Sequence, residues 1–356
     1  MAYLKLDKKK LEHNYQILDD HFKKHQIEWA TVSKILCGNK PFMEELINMG
    51  TKEICDSRIS NLQKIKEISP KIQTVYIKPP AQKHINEVVK YADVSFNTEL
   101  STIMLLNKEA GKQNKTHKVL IMIELGDLRE GVMGDDLMEF YAEIFKLSNI
   151  RIIGIGANLN CLSGVMPSAD KLIQLGLYKQ IIEAKFNKKI PWISGGTSVV
   201  IPLMLTKQLP KGINHFRIGE TLFFGLNLFT NDLVEGMHGD VFKFYAQIIE
   251  LNEKPLVPTG VLDENPSGEV FEINEEDYGK TSNRAILDVG LLDIEPNFLE
   301  PYDQSIEITG ASSDMIVVDL GANANKYKVG DILSFKVKYM GVLGLMNSNY
   351  IEKIVA

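Results

Sequence analysis

Lys34 is the residue whose type and place most call for a chemical explanation. It closes the apolar run WATVSKILCGN, a stretch rich in β-formers that reads as a short buried strand opening into a loop at Gly38 and Asn39. An ammonium is strongly hydrated, so a lysine there must reach the rim, pair with a carboxylate or carry a covalent cofactor. A second feature is SGGTS, Ser194–Ser198, after another apolar run. Its two glycines let the backbone approach a ligand, and Thr197 and Ser198 offer hydroxyls and amides at a helix start, where the dipole favours an anion. Alone it is equally a loop with an N-cap. Arg129, in IELGDLREG, and Arg217, in HFRIGETLFFG, are alone ordinary salt-bridge residues. Together, a lysine, an anion loop and two arginines are the parts needed to hold a phosphorylated aldehyde as a lysine Schiff base.

Each of these residues falls where a strand-like run gives out. Such runs occur at WATVSKIL, KEICDS, QTVYIK, ADVSF, HKVLIMIEL, RIIGIGANL, PWIS and NHFRIG, with helical patterns between them and an opening helix near residues 8–25. Eight strands alternating with helices imply a parallel sheet with crossover helices. The count predicts an α/β fold, a (β/α)8 barrel of the usual size of about 250 residues, with a doubly wound open sheet as the alternative. In a barrel the catalytic groups gather at the C-terminal strand ends. Lys34 then ends the first strand and Asn158 the sixth. Arg129 follows the fifth, SGGTS the seventh, and Arg217 ends the eighth. Beyond about Asn231 the alternation turns to β type, as in VFKFYAQIIEL and DILSFKVKYMG, with turn clusters such as ENPSGE. The expected division is a barrel over residues 7–230 and a mostly β domain over 231–356 together with residues 1–6.

The chain has 356 residues, 44% of them hydrophobic, and a net charge of −6 with no basic stripe, which argues against nucleic acid or an anionic membrane as partner. Three scattered cysteines, Cys37, Cys55 and Cys161, suit neither a disulfide framework nor a metal cluster, so no metal site is expected. The amino-terminal stretch has no signal-like apolar segment, and no run has the length of a membrane span, so a cytoplasmic setting is expected.

On these residues the chain resembles the fold-type III enzymes that use pyridoxal 5'-phosphate, the alanine racemase group, and within it the ornithine racemase-like branch. The resemblance implies that Lys34 is the cofactor lysine, that Arg217 in RIGETLFFG faces the pyridine nitrogen, and that Asn158 stands where alanine racemases carry a histidine near that ring. It implies that Ser194, Thr197, Ser198 and Gly219 border the phosphate, and that Arg129 lies near the substrate carboxylate. It further implies a homodimer with shared sites. One subunit would contribute Ser312, Ser313 and Asp314 of GASSDM to its partner's site, and Tyr350 of MNSNYIEK would reach the cofactor phosphate. Tyr278, in DYGKT, is the expected second base. Met122 departs from the pattern, because many alanine racemases carry a lysine there that orients the arginine.

The implied activity is amino acid racemisation, with one base on each face of the α-carbon. A guanidinium only donates hydrogen bonds, so Arg217 would keep the pyridine nitrogen unprotonated and weaken the electron sink, which suits proton transfer over transamination. A decarboxylase would place an acid at that nitrogen. A threonine aldolase-like enzyme would carry a late His/Cys pair, but the last histidine here is His238 and the last cysteine Cys161. Alanine racemase proper and a cofactor-carrier protein of the single-barrel type are the alternatives. The implied substrate is ornithine or a related amino acid, and Glu124, Asp127, Glu130 and Asp314 are the carboxylates that could meet a basic side chain.

Overall fold

The fold was taken from a computed structural model, which describes residues 2–264, 268 and 270–356. Asn265, Pro266, Ser267 and Glu269, most of the ENPSGE turn, lie outside the described residues. The chain divides into two compact units, one of Asp7–Val241 and one of the described residues of Met1–Leu6 with Phe242–Ala356.

After β1 (Tyr3–Leu6) and α1 (Lys8–Lys24), the first unit alternates strand and helix. Its elements are β2 (Glu28–Val32), α2 (Lys40–Asn48), β3 (Glu53–Asp56), α3 (Ile59–Ile68), β4 (Gln73–Tyr76), α4 (Ile85–Tyr91), β5 (Val94–Asn97) and α5 (Leu100–Lys112). They continue with β6 (His117–Met122), α6 (Leu137–Ile144), β7 (Ile150–Gly156), α7 (Ala169–Phe186), β8 (Trp192–Ser194), α8 (Ile201–Leu205), β9 (His215–Ile218) and α9 (Glu220–Phe224). Strands β2 to β9 close into a parallel barrel, with β9 pairing back onto β2. The barrel strands are short and apolar on both faces because helices cover the outside while side chains fill the inside. The filling layer includes Ala30, Val32, Cys55, Val75, Phe96, Leu120 and Met122, all buried. The open-sheet alternative is thereby excluded.

The second unit is a mixed sheet built on the long β10 (Phe242–Pro255). Its other strands are β11 (Thr281–Leu287), β12 (Leu299–Pro301), β13 (Glu307–Ala311), β14 (Ile316–Asp319) and β15 (Ile332–Val337), followed by α10 (Tyr339–Asn347) and β16 (Glu352–Val355). They order as β12-β15-β10-β11-β14-β13, with β1 joined to β10 and β16. A register shift between Ile248 and Glu250 lets β10 serve β15 with one half and β11 with the other. Helix α10 does not follow from the alternation read in KVKYMG. Its Gly341 is a weak helix former, but a Cβ there would come within 2.8 Å of the Phe298 Cβ, so close packing demands the glycine.

Candidate active site

Lys34 lies two residues past the end of β2 and opens a single 3-10 turn, Lys34–Leu36, rather than continuing the strand. The chain turns because Ser33 is anchored: its N–H reaches the Cys55 carbonyl at 2.9 Å and its Oγ donates to the Asp56 carboxylate at 2.8 Å. Cys37 then takes a left-handed conformation, φ 47°, and Gly38 a second, φ 68°. A Cβ at Gly38 would also strike the Asn61 amide at 2.4 Å, so only glycine closes this turn. Asn39 caps α2 by accepting from the Phe42 N–H at 3.2 Å. The exposed Lys34 side chain acts electrostatically on Glu220, just beyond β9, whose carboxyl is pushed up by burial and drawn back down by the Lys34 charge.

Arg217, only 3% exposed, projects from β9. Its guanidinium donates to the Ser194 Oγ at 2.5 Å, the Ser194 carbonyl at 3.4 Å and the Ala157 carbonyl at 2.8 Å, and it lies 5.3 Å from the Phe96 ring centre. All these acceptors are neutral. Burial therefore pulls Arg217 down from the ordinary arginine value. Placing a guanidinium in a barrel without a bonded carboxylate costs several kcal/mol, which stability alone gives no reason to bear. Next to it, Ser194 Oγ meets His215 Nδ1 at 2.7 Å, and His215 Nε2 meets the Glu53 carboxylate at 2.9 Å.

The SGGTS turn leaves β8 with Gly196 at φ 142°, where a Cβ would come 2.5 Å from Val200. Thr197 is extended, and Ser198 Oγ accepts the Gly219 N–H at 3.3 Å and the Thr221 N–H at 3.2 Å. The Ser198 hydroxyl thus ties this turn to the one after β9, where Gly219 packs 3.1 Å (as a Cβ) from Val32, two residues before Lys34. The anion loop, the Arg217 strand and the lysine turn therefore meet at one barrel end.

Arg129 forks onto Glu130, with Nε on Oε2 and Nη2 on Oε1 at 2.6 Å, and this pairing raises its pKa. Glu130 in turn takes a long 3.5 Å bond from the Asn158 amide, whose own Oδ1 is buried without a hydrogen-bond partner. Met122 is buried in the barrel filling, so the arginine is steadied by Glu130 instead of a lysine at that place. The other carboxylates are engaged in loop building. Asp127, buried, accepts the N–H groups of Cys161, Leu162, Ser163 and Val165, and these bonds hold its carboxyl below the usual value although burial opposes them. Glu124 accepts from Gly126 and Leu128.

The remaining expected residues belong to the β unit. Tyr278 follows a short 3-10 turn and is 61% exposed, and Tyr350 is 77% exposed. Ser312 and Ser313 both donate to Asp314 at 3.2 Å in the tight β13–β14 turn, whose backbone carbonyls receive the N–H groups of Leu291 and Leu292. Glu130, a candidate partner for a basic side chain, is instead occupied by Arg129, and Glu53 and His215, which the sequence does not single out, form a hydrogen-bonded pair that reaches Ser194. The signal for the last two was a charged or polar side chain at the start of an otherwise apolar strand run.

Residues 6–227 match the family described as alanine racemase, N-terminal domain. The chain is 39% identical to an ornithine racemase of Acetoanaerobium sticklandii over 98% of both chains. It is 29% identical to a lysine racemase of Thermotoga maritima, covering 99% of this chain and 97% of that one. Among solved structures, alanine racemase from Bartonella henselae with covalently bound pyridoxal phosphate superposes with a TM-score of 0.75 at 17% identity, over 100% of this chain and 99% of that one.

Proposed function

The chain belongs to the alanine racemase family, and from that premise we propose that it interconverts the enantiomers of a diamino acid, ornithine before lysine. Its class is that of an amino acid isomerase using pyridoxal 5'-phosphate. Three features support the fit of that group to the barrel. The Gly196 turn and Ser198 offer an anion cradle, Arg217 offers a donor-only cation, and the unpartnered Asn158 Oδ1 has a vacant lone pair beside the same ring of residues. When bound, pyridoxal phosphate supplies the electron sink that makes a substrate α-proton acidic.

The residues of this chain do the rest. Lys34 holds the cofactor and moves the α-proton on its own face. Arg217, always a donor, restrains the sink and so favours return of the proton over loss of the amino group. Thr197, Ser198 and Gly219 seat the phosphate end, whereas Ser194, expected there from the sequence, is fully buried with its hydroxyl taken by Arg217 and His215. Arg129, steadied by Glu130, receives the substrate carboxylate. Tyr278 serves the opposite face, and with Ser313 and Asp314 it comes from a second copy in a two-fold dimer, while Tyr350 reaches the phosphate. Their exposure in the β unit supports that reading. No described helix is long and apolar enough to cross a membrane.

The observation that carries the activity is the buried Arg217 with neutral acceptors, and the choice of substrate rests on the ornithine racemase relative. Racemisation should be measured across a panel of L-amino acids. Ornithine should give the highest kcat/KM, lysine less and alanine least. An alanine value equal to that for ornithine would overturn the substrate assignment.

A further inference from the structure

The hydrogen bonds of Arg217 continue through the barrel to its floor. Ser194 Oγ accepts from Arg217, and because an arginine only donates, the direction of this bond is fixed. Ser194 is fully buried, and the other partner of its hydroxyl among the described residues is His215 Nδ1, at 2.7 Å. The hydroxyl proton must therefore go to that nitrogen, which makes Nδ1 the acceptor. His215 Nε2 then carries the proton and donates to Glu53 Oε1 at 2.9 Å. The second oxygen of Glu53 is held by the Gln73 amide at 2.5 Å, whose carbonyl is fixed by Lys118 at 3.2 Å. Trp192 stacks on His215 with centroids 4.3 Å apart, which locks the ring plane. Glu53, Gln73 and His215 each begin a strand, so the series runs from the N-terminal end of the barrel toward the end that holds Lys34.

We propose that Ser194, His215 and Glu53 are positioning residues that fix Arg217 from the barrel floor, with Glu53 supplying, through two intervening groups, the negative charge that the guanidinium lacks among its own acceptors. The inference rests on the reading of Arg217 as the donor to the cofactor ring nitrogen. It also explains why a barrel floor, usually a place of stability alone, carries a carboxylate and an imidazole in register with a strand that serves the other end. The relay is reachable. A cavity of about 680 Å³ opens on the floor, lined by Glu53, Gln73, Trp192 and His215 among others.

Two measurements test the relay. In full-length protein with nitrogen-15 histidine, His215, assigned by loss of its signal in His215→Gln, should appear as the Nε2–H tautomer. An Nδ1–H tautomer would overturn the relay whatever Arg217 does. In cofactor-loaded enzyme, Glu53→Ala should lower kcat by roughly tenfold to a hundredfold with KM changed little. Formate, entering by the floor cavity, should restore part of that loss. A folded Glu53→Ala enzyme with normal kcat, or one that formate leaves unrescued, would overturn the proposal. Should Glu53→Ala not fold, the isosteric Glu53→Gln keeps an acceptor and removes the charge, and it should shift partitioning toward transamination. Unchanged partitioning there counts against the relay. If Arg217→Glu leaves partitioning unchanged as well, the reading of Arg217 itself fails, whereas an altered Arg217→Glu beside silent floor variants sinks only the relay.

Discussion

In the barrel unit, Arg217 is 3% exposed and each of its hydrogen-bond acceptors sits on or just after a strand. In the β unit, Tyr278 and Tyr350 are 61% and 77% exposed. The first set is preorganised by its own chain, at a desolvation cost met by neighbouring dipoles, and so is ready to act on a bound group without rearrangement. The second set sits on turns with side chains open to solvent. On the proposed reading the site divides its work, with the groups that tune the chemistry buried and those that would meet substrate from a second copy standing on turns.

The largest test of the buried half is Lys34→Ala, which should lower racemisation by on the order of 10³-fold or more. Borohydride treatment of loaded wild-type enzyme should place a pyridoxyl group on the peptide holding Lys34, and a tag on another lysine would move the site elsewhere. Arg217→Glu should retain the cofactor, slow racemisation by roughly a hundredfold, the scale on which electrostatic groups act, and increase transamination. Measuring both products from one sample checks this.

The exposed half is tested by complementation. Lys34→Ala and Asp314→Ala proteins, each inactive alone, should recover about a quarter of wild-type activity after subunit exchange, since random pairing leaves one intact site in half of the dimers. No recovery after exchange verified by mass would assign the Asp314 turn to its own chain's site.

A smaller effect separates the two units by their response to acid. His117, buried in the barrel against Ser95, has a pKa lowered from 6.5 to about 4 by desolvation. Its folded form resists protonation, so the stability it contributes is intact above pH 6.5 and is lost as pH falls toward 4, by about 3 kcal/mol. In the β unit, Asp303 accepts from Ser305, Asn325 and Tyr327, and its pKa is lowered from 3.8 to about 2. Its contribution is intact above pH 3.8 and is lost only between there and pH 2. Melting followed by probes in each unit should show the barrel weakening first, and His117→Gln should remove most of the slope between pH 6.5 and 4. Equal slopes in wild type and variant would assign the acid response to other groups.

The barrel was legible because its signal is repetitive: eight apolar runs, each followed by a helical pattern, leave few other folds. Lys34, Arg217 and SGGTS were legible because a cation or a glycine pair after such a run has few structural uses. The exact end of β2 was not, since the bend at Ser33 is made by Asp56 and Asn61, which sequence places far away. Glu130 as the support of Arg129 was hidden among three nearby acids, and only geometry shows that Asp127 and Glu124 are occupied by backbone N–H groups. Glu53 and His215 were invisible as a pair because 162 positions separate them and barrel closure alone brings them together. Helix α10 was lost because its glycines mimic a turn.

The strand β1 pairs in parallel with β16 and antiparallel with β10, so the whole barrel is an insertion between two neighbouring strands of one sheet. The ends of that insertion already meet, because the Asp7 N–H donates to the Val241 carbonyl at 2.8 Å. Once the barrel has folded, β1 and β10 are delivered side by side, and the entropy of closing so long a loop no longer opposes their pairing. In chain order every barrel residue precedes β10 and β16, so β1 has no strand to pair with until the chain beyond the barrel is present.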